Sequence, residues 1–337
     1  MNYAIEADWH MLDTCNYRCA YCFFGHETLG ARLRTFSEPS GWSSAFDATG
    51  MIWLLHMTGG EPSIYPEFVE LCERLTTRHF ISINSNLTHS SLAELSRRVD
   101  PSRISFINAG LHLQERELRN GHTAFLRNAD TLRARNFPLV VSLVATPSAL
   151  VRFDEAIALL APIGLFPIPK LFRGTADGKT YPDAYSGAEK QRFGAMAARA
   201  RDFYRADLLK RDEPPSIDML NDELFLDGMP SYRGALCTAG ERFVQILPNG
   251  DVHRCGGSDS QGNILAGTFV RRQVRRPATP SIAIIFATST PMPARFGETR
   301  RCTMTPRRNE LGPDKPVLAS SSTPGVPDAH GHRHRFE

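Results

Sequence analysis

No apolar run in these 337 residues approaches the roughly 20 needed to cross a bilayer; the longest near the C-terminus, Ile282 to Ala287, is far too short. The opening MNYAIEADWH has neither a basic flank nor an apolar stretch, so it does not read as a secretion signal. These absences point to a cytoplasmic protein with no membrane partner, in a compartment where thiols stay reduced. Clustered cysteines there serve metal or redox chemistry sooner than disulfides, and the chain has seven. A basic footprint for nucleic acid is missing as well. The last 71 positions hold 12 Lys and Arg against 5 Asp and Glu, so the formal net charge of +3 belongs to the tail and the remainder is mildly acidic. That tail has no Tyr or Trp, 9 prolines and no periodicity that would bury a core. Residues 268–337 are expected to be disordered, or foreign to the rest of the chain as after a frameshift.

The first 210 or so residues alternate strand-like and helix-like stretches, the rhythm of a parallel α/β sheet. Six strands are predicted to end near Thr14, Thr58, Ser85, Asn108, Thr146 and Phe172. Helix starts are marked by Pro66, by Ser91 with Glu94, and by Ser186 with Glu189, the last two in capping-box spacing. Right-handed crossovers wind such units into an open barrel, with chemistry at the C-terminal strand ends. Residues 1–210 are read as this domain and 211–267 as a smaller one. In the latter, Phe243–Leu247 and Val252–Arg254 flank Asn249-Gly250 as a β-hairpin that brings Cys237 and Cys255 to one end.

The stretch TCNYRCAYCFF supplies Cys15, Cys19 and Cys22 directly after the first strand. Three thiolates can hold three irons of a four-iron cluster and leave the fourth open to a ligand. Zinc is the alternative, and it needs a fourth donor such as His10 or His26 to close a tetrahedron. After the second strand comes GGEP, in which Gly59 and Gly60 allow close backbone approach and Glu61 places a carboxylate at the strand end.

Together, CxxxCxxC after strand one and GGEP after strand two resemble the radical S-adenosylmethionine (SAM) superfamily, down to the aromatic Tyr21 before the last cysteine. The resemblance implies a partial (β/α)6 TIM barrel. It implies a [4Fe-4S] cluster on Cys15, Cys19 and Cys22, with SAM chelating the free iron. Glu61 would meet the SAM ammonium, the Gly59-Gly60 backbone would lie alongside, and Ser85 and Asn86 would stand near the ribose. One electron would then cleave the sulfonium to methionine and a 5′-deoxyadenosyl radical, which takes hydrogen from the substrate. Cys237, Gly250 and Cys255 resemble the start of a SPASM or twitch domain, which binds an auxiliary iron–sulfur cluster. Downstream, however, only Cys302 remains.

The implied activity is oxidation or cross-linking of a peptide or protein side chain, with a reductant such as ferredoxin or flavodoxin as partner. A dehydrogenase or epimerase acting on a sugar-like small molecule is the alternative within enzymes. A non-catalytic iron–sulfur or zinc-binding protein is the alternative from another class. Among other residues, His112, Lys170 and Arg173 stand at strand ends where substrate or SAM could be met, and Cys72 reads as a packed thiol.

Overall fold

The computed structural model describes residues 1–22, 24, 29, 36–207, 218–228, 236–255, 259–272, 276 and 277. Of the expected tail 268–337, residues 268–272, 276 and 277 are described; the rest of it, with Cys302, lies outside the described residues, as does His26. Six parallel strands appear in the predicted order: β1 (Ile5–Leu12), β2 (Trp53–Gly59), β3 (Phe80–Ser85), β4 (Ile104–Gly110), β5 (Leu139–Val144) and β6 (Pro167–Lys170). Each pairs with its sequence neighbour, so the sheet grows one βα unit at a time into the partial barrel. β6 ends the row. Its Pro167 and Pro169 have no N–H to offer a further strand, which suits an edge.

The two faces of the sheet follow from strand alternation. Trp9 of β1 packs on Trp42 and Phe46 of the Pro39–Ala48 helix, with ring centroids 4.6 and 5.3 Å apart. The even-numbered residues Glu6, Asp8 and His10 therefore face the barrel interior. Behind the sheet, the Phe68–Thr76 helix buries Phe68, Leu71, Cys72 and Leu75 as its spacing predicts. Pro66 is not its first residue but lies in the preceding turn, where Phe68 N donates to Tyr65 O at 3.1 Å. The 21-residue helix Gly187–Asp207 closes the β6 side with Phe193, Met196, Ala197, Ala200 and Tyr204. Tyr204 Oη donates to Phe166 O at 2.6 Å.

Of the two predicted capping boxes, one forms. Glu189 accepts from Ser186 N at 2.8 Å while Ser186 Oγ accepts from Glu189 N at 3.3 Å. At the other, Ser91 Oγ donates to Ser63 O at 3.0 Å, and Glu94 is drawn to Arg98 at 2.7 Å, so neither side chain is left for the cap.

The hairpin Phe243–Ile246 and Asp251–His253 is antiparallel, and its first strand runs parallel to β1 with Asp8 opposite Gln245. It thus extends the barrel sheet beyond β1, and Ser260–Asn263 adds a further antiparallel strand. Its turn is not the two-residue Asn-Gly type. Leu247 N donates to Asp251 O at 2.9 Å across a three-residue loop, and Gly250 alone is left-handed, at φ +87°.

His79 carries a pH-dependent part of the stability. It is buried against Trp53 N at 3.4 Å, with Asp47 Oδ1 3.5 Å from its other nitrogen. Burial pushes its pKa down to about 4 from the ordinary 6.5, Arg78 adds to this, and Asp47 opposes it. The unfolded chain takes up a proton that the folded one refuses, so this contribution is complete above 6.5 and is lost as pH falls toward 4. It amounts to on the order of 3 kcal/mol. Denaturant unfolding at about pH 7.5 and about pH 4.5 should show a shallower dependence in His79→Gln than in the parent; equal slopes would contradict this account.

Candidate active site

The C-terminal ends of β1 and β2 are locked together by the glycine motif. Gly60 N donates to Leu12 O at 2.7 Å and Glu61 N to Thr14 O at 2.9 Å. A Cβ on Gly60 would sit 2.0 Å from Thr14 O, and one on Gly59 2.3 Å from Leu12 O, with Gly59 itself at φ +120°. The two glycines therefore seat the β2 exit against the segment that leads into Cys15. Gly60→Ala must push that segment away, at about 1–3 kcal/mol. The expected result is a lowered melting temperature together with impaired metal loading, even though no ligand is changed.

Glu61 is buried, and protein donors surround it. Its Oε1 accepts from Ser63 N (3.0 Å), Ser63 Oγ (2.5 Å) and Ser85 Oγ (2.7 Å), and its Oε2 from Asn86 N at 2.7 Å. Asn86 in turn accepts from Thr88 N and donates to Asn16 at 2.7 Å. Ser85 and Asn86 thus hold the carboxylate in one orientation. Oε2, with one donor against three on Oε1, is the oxygen with capacity for a further N–H.

The cysteine loop lies across β4's exit. Cys22 N donates to Cys19 O at 2.9 Å, and Cys15 Sγ accepts from Tyr17 N at 3.3 Å. Tyr21 Oη meets His112 Nδ1 at 2.7 Å, and their rings stack at 6.0 Å. Arg18 N donates to Glu115 Oε1 at 2.8 Å. His112 and Glu115, at the start of the short helix Leu113–Leu118, therefore pin the loop from below. Burial lifts the thiols: Cys15 rises to about 11, with Glu61 and Cys22 adding to it, and Cys19 to about 12, with Glu115 and Cys22 adding. All three lie within one short loop, Cys15–Cys22, tied by the backbone N–H bonds of Tyr17 and Cys22. Without a metal beside them they hold their protons, and metal binding would release those protons. His112 is pushed the opposite way, to about 3, by burial and then by Arg116 and Lys170, so it stays neutral and can accept from Tyr21.

Among the described residues, no three His, Cys, Asp or Glu side chains converge on a point where one metal ion would sit. A four-iron cluster takes one thiolate per iron, so its ligands surround a body rather than meet at a point. Three clustered thiols fit that demand better than a closed zinc tetrahedron. Of the zinc alternative's two candidate fourth donors, His10 lies 2.8 Å from Asp13 and His26 is outside the described residues.

Elsewhere, Cys237 and Cys255 are buried at one end of the hairpin, where Arg254 Nε donates to Ala239 O at 3.0 Å. Arg173 lies 3.8 Å from the buried Asp222, whose carboxylate also accepts from Leu171 N at 2.7 Å. Sequence reasoning missed the polar inner face of the barrel. In-register neighbours place Asp8, His56 and Ser82 in one row there and Asn84 with Asn108 in the next; His56 bonds Ser82 at 2.6 Å and Asn108 donates to Asn84 at 2.9 Å. Filled barrel cores carry branched aliphatic side chains at such positions. Alternation within β1 and β2 was the signal that could have found them. It also missed Arg116, which leaves no mark in the sequence.

Residues 9–160 match the Radical SAM superfamily. Over 125 residues the chain is 29% identical to an S-adenosylmethionine-dependent nucleotide dehydratase of a Thermoplasmatales archaeon (strain ISO4-H5), a match covering 35% of this chain and 44% of that protein's length. In fold it is similar to anSMEcpe solved with AdoMet bound (14% identity, 78% of this chain, 75% of that one, TM-score 0.51). It is similar also to Streptococcus suis SuiB bound to S-adenosylmethionine (14% identity, 78% and 64% covered, TM-score 0.52), a protein also solved with its precursor peptide SuiA.

Proposed function

We propose that this chain, whose residues 9–160 match the Radical SAM superfamily, is an enzyme of that superfamily that uses a [4Fe-4S] cluster and SAM and draws a hydrogen atom from a peptide or protein side chain. The observation that carries this reading is the juxtaposition of the Cys15–Cys22 loop with Glu61, through hydrogen bonds from Gly60 and Glu61 to the β1 exit. In this reading Cys15, Cys19 and Cys22 would hold three irons of the cluster and leave the fourth open to SAM. Glu61 Oε2 takes the SAM ammonium while Ser85, Asn86 and Ser63 keep the carboxylate aimed. When bound and reduced, the cluster and SAM together supply a 5′-deoxyadenosyl radical able to abstract hydrogen. The chain's own residues bind, orient and keep water out: Tyr21 and His112 close one flank of the loop, and the partly buried thiols sit under it. An external one-electron donor of the ferredoxin or flavodoxin kind is the natural partner.

Cys237 and Cys255 are proposed as two ligands of an auxiliary cluster, supported by their burial at one end of the hairpin. A small-molecule substrate is the second reading, favoured by the name of the archaeal relative, a nucleotide dehydratase. Release of 5′-deoxyadenosine from SAM by the anaerobically reconstituted, dithionite-reduced protein tests the core of the proposal. Its absence from protein with a verified four-iron cluster would count against it. Stimulation by a nucleotide but by no peptide would favour the second reading.

A further inference from the structure

Arg116 is fully buried and makes no ion pair with a carboxylate among the described residues. Glu115, beside it in sequence, is taken by Arg119 at 2.6 Å and by Arg18 N. The guanidinium instead donates to four neutral carbonyls: Leu111 O (2.8 Å), Gly110 O (2.9 Å), Asn86 O (2.8 Å) and Gly121 O (3.3 Å). Phe125 flanks it with the ring centre 4.1 Å away, and Tyr17 at 5.5 Å. An interior charge answered only by carbonyl dipoles is costly, and folded proteins normally pair it.

The contacts around it show where its partner belongs. Tyr17, whose ring the guanidinium faces, lies in the cysteine loop and donates its N–H to Cys15 Sγ at 3.3 Å, and Asn86, whose carbonyl accepts from Arg116, donates its own N–H to Glu61. Three thiolates around a four-iron core of charge about +2 leave a net charge of roughly −1, and one electron makes it about −2. Net charge is among the properties that set the potential of such clusters, and a low-dielectric interior strengthens the effect.

We propose that Arg116 is the buried counter-charge of the cysteine loop, placed to favour the one-electron reduction of a cluster held by Cys15, Cys19 and Cys22. This rests on the radical SAM reading above. The electron comes from a low-potential donor of the ferredoxin or flavodoxin type; the cluster gains it, the donor is oxidised, and Arg116 keeps its proton throughout. Arg116 is thus a positioning residue in the electrostatic sense. It also ties the exits of β3 and β4 together through Asn86, Gly110 and Leu111, and the test must separate that bracing from its charge.

The test is an EPR-monitored redox titration of reconstituted protein without SAM, run on the parent, Arg116→Gln and Arg116→Lys. Arg116→Gln is expected to show about a tenfold lower ratio of reduced to oxidised cluster at a fixed potential, equivalent to about 59 mV for one electron. Arg116→Lys, which keeps the charge and loses the fork of hydrogen bonds, should stay within about twofold of the parent. A glutamine variant that titrates with the parent overturns the proposal. Should Arg116→Gln take up no cluster, the lysine variant decides: loading with a parental midpoint supports the charge role, whereas no loading or a lowered midpoint assigns Arg116 to bracing and overturns it. Failure of the parent itself to assemble any iron–sulfur cluster would instead strike the radical SAM reading, and this inference with it.

Discussion

Replacing Glu61 with Ala is expected to cost about 3–5 kcal/mol of folding stability before any ligand is considered. The side chain is an internal acceptor for four hydrogen bonds, from Ser63 N, Ser63 Oγ, Ser85 Oγ and Asn86 N. Truncation strands four buried donors at once, and a stranded donor costs more than the net worth of the bond it made. Against a typical domain stability of about 5–15 kcal/mol that is a large fraction. Urea unfolding of the cluster-free protein reads this effect without interference from metal. Glu61→Gln keeps the shape but turns an N–H toward one of the existing donors, so it should lose roughly half as much. If Glu61→Ala unfolds at the parental urea concentration, the hydrogen-bonded socket is wrong. The assay also guards against a common misreading, since lost activity in this variant would by itself say nothing about SAM.

Cys19→Ala is expected to remove iron and sulfide uptake and 5′-deoxyadenosine formation together. Cys19 is the most buried of the three loop cysteines, and its thiol is the more strongly raised of the two with resolved shifts, to about 12. It gives up its proton only to a cation that repays the desolvation. The cluster-free variant should fold much as the parent does, because removing one small sulfur costs about 1 kcal/mol. Iron analysis and EPR after anaerobic reconstitution check the first half, and chromatography of SAM products checks the second. An active Cys19→Ala protein devoid of iron would end the radical SAM assignment of this loop.

The strand order was legible because each βα unit carries its own local signals: apolar runs of β-branched residues, then a helical stripe such as Phe68, Leu71, Cys72 and Leu75. The cysteine spacing and GGEP were legible for the same reason, being contiguous. What the glycines do was not. Gly59 and Gly60 are clamped against Leu12 and Thr14, more than forty positions away, and only the register of β1 with β2 reveals the contact. Glu61's socket is likewise assembled from β3's exit, so Ser85 and Asn86 serve the carboxylate through three-dimensional proximity. The Ser91–Glu94 box failed because Ser63 and Arg98 compete for its two side chains. Arg116 defeated sequence reading altogether, since an arginine on a short helix is ordinarily solvated.

The pairing of Phe243–Ile246 with β1 has a consequence for how the protein is made. β1 is flanked on both sides in the finished sheet, yet it leaves the ribosome about 230 residues ahead of that neighbour, on the order of 10–50 s at ~5–20 residues per second. Throughout that interval the strand that launches the cysteine loop is a bare edge, open to pairing with any passing strand. A nascent chain stalled before Phe243 would carry every loop cysteine and the whole glycine motif, and would still be the form of this protein most prone to aggregate.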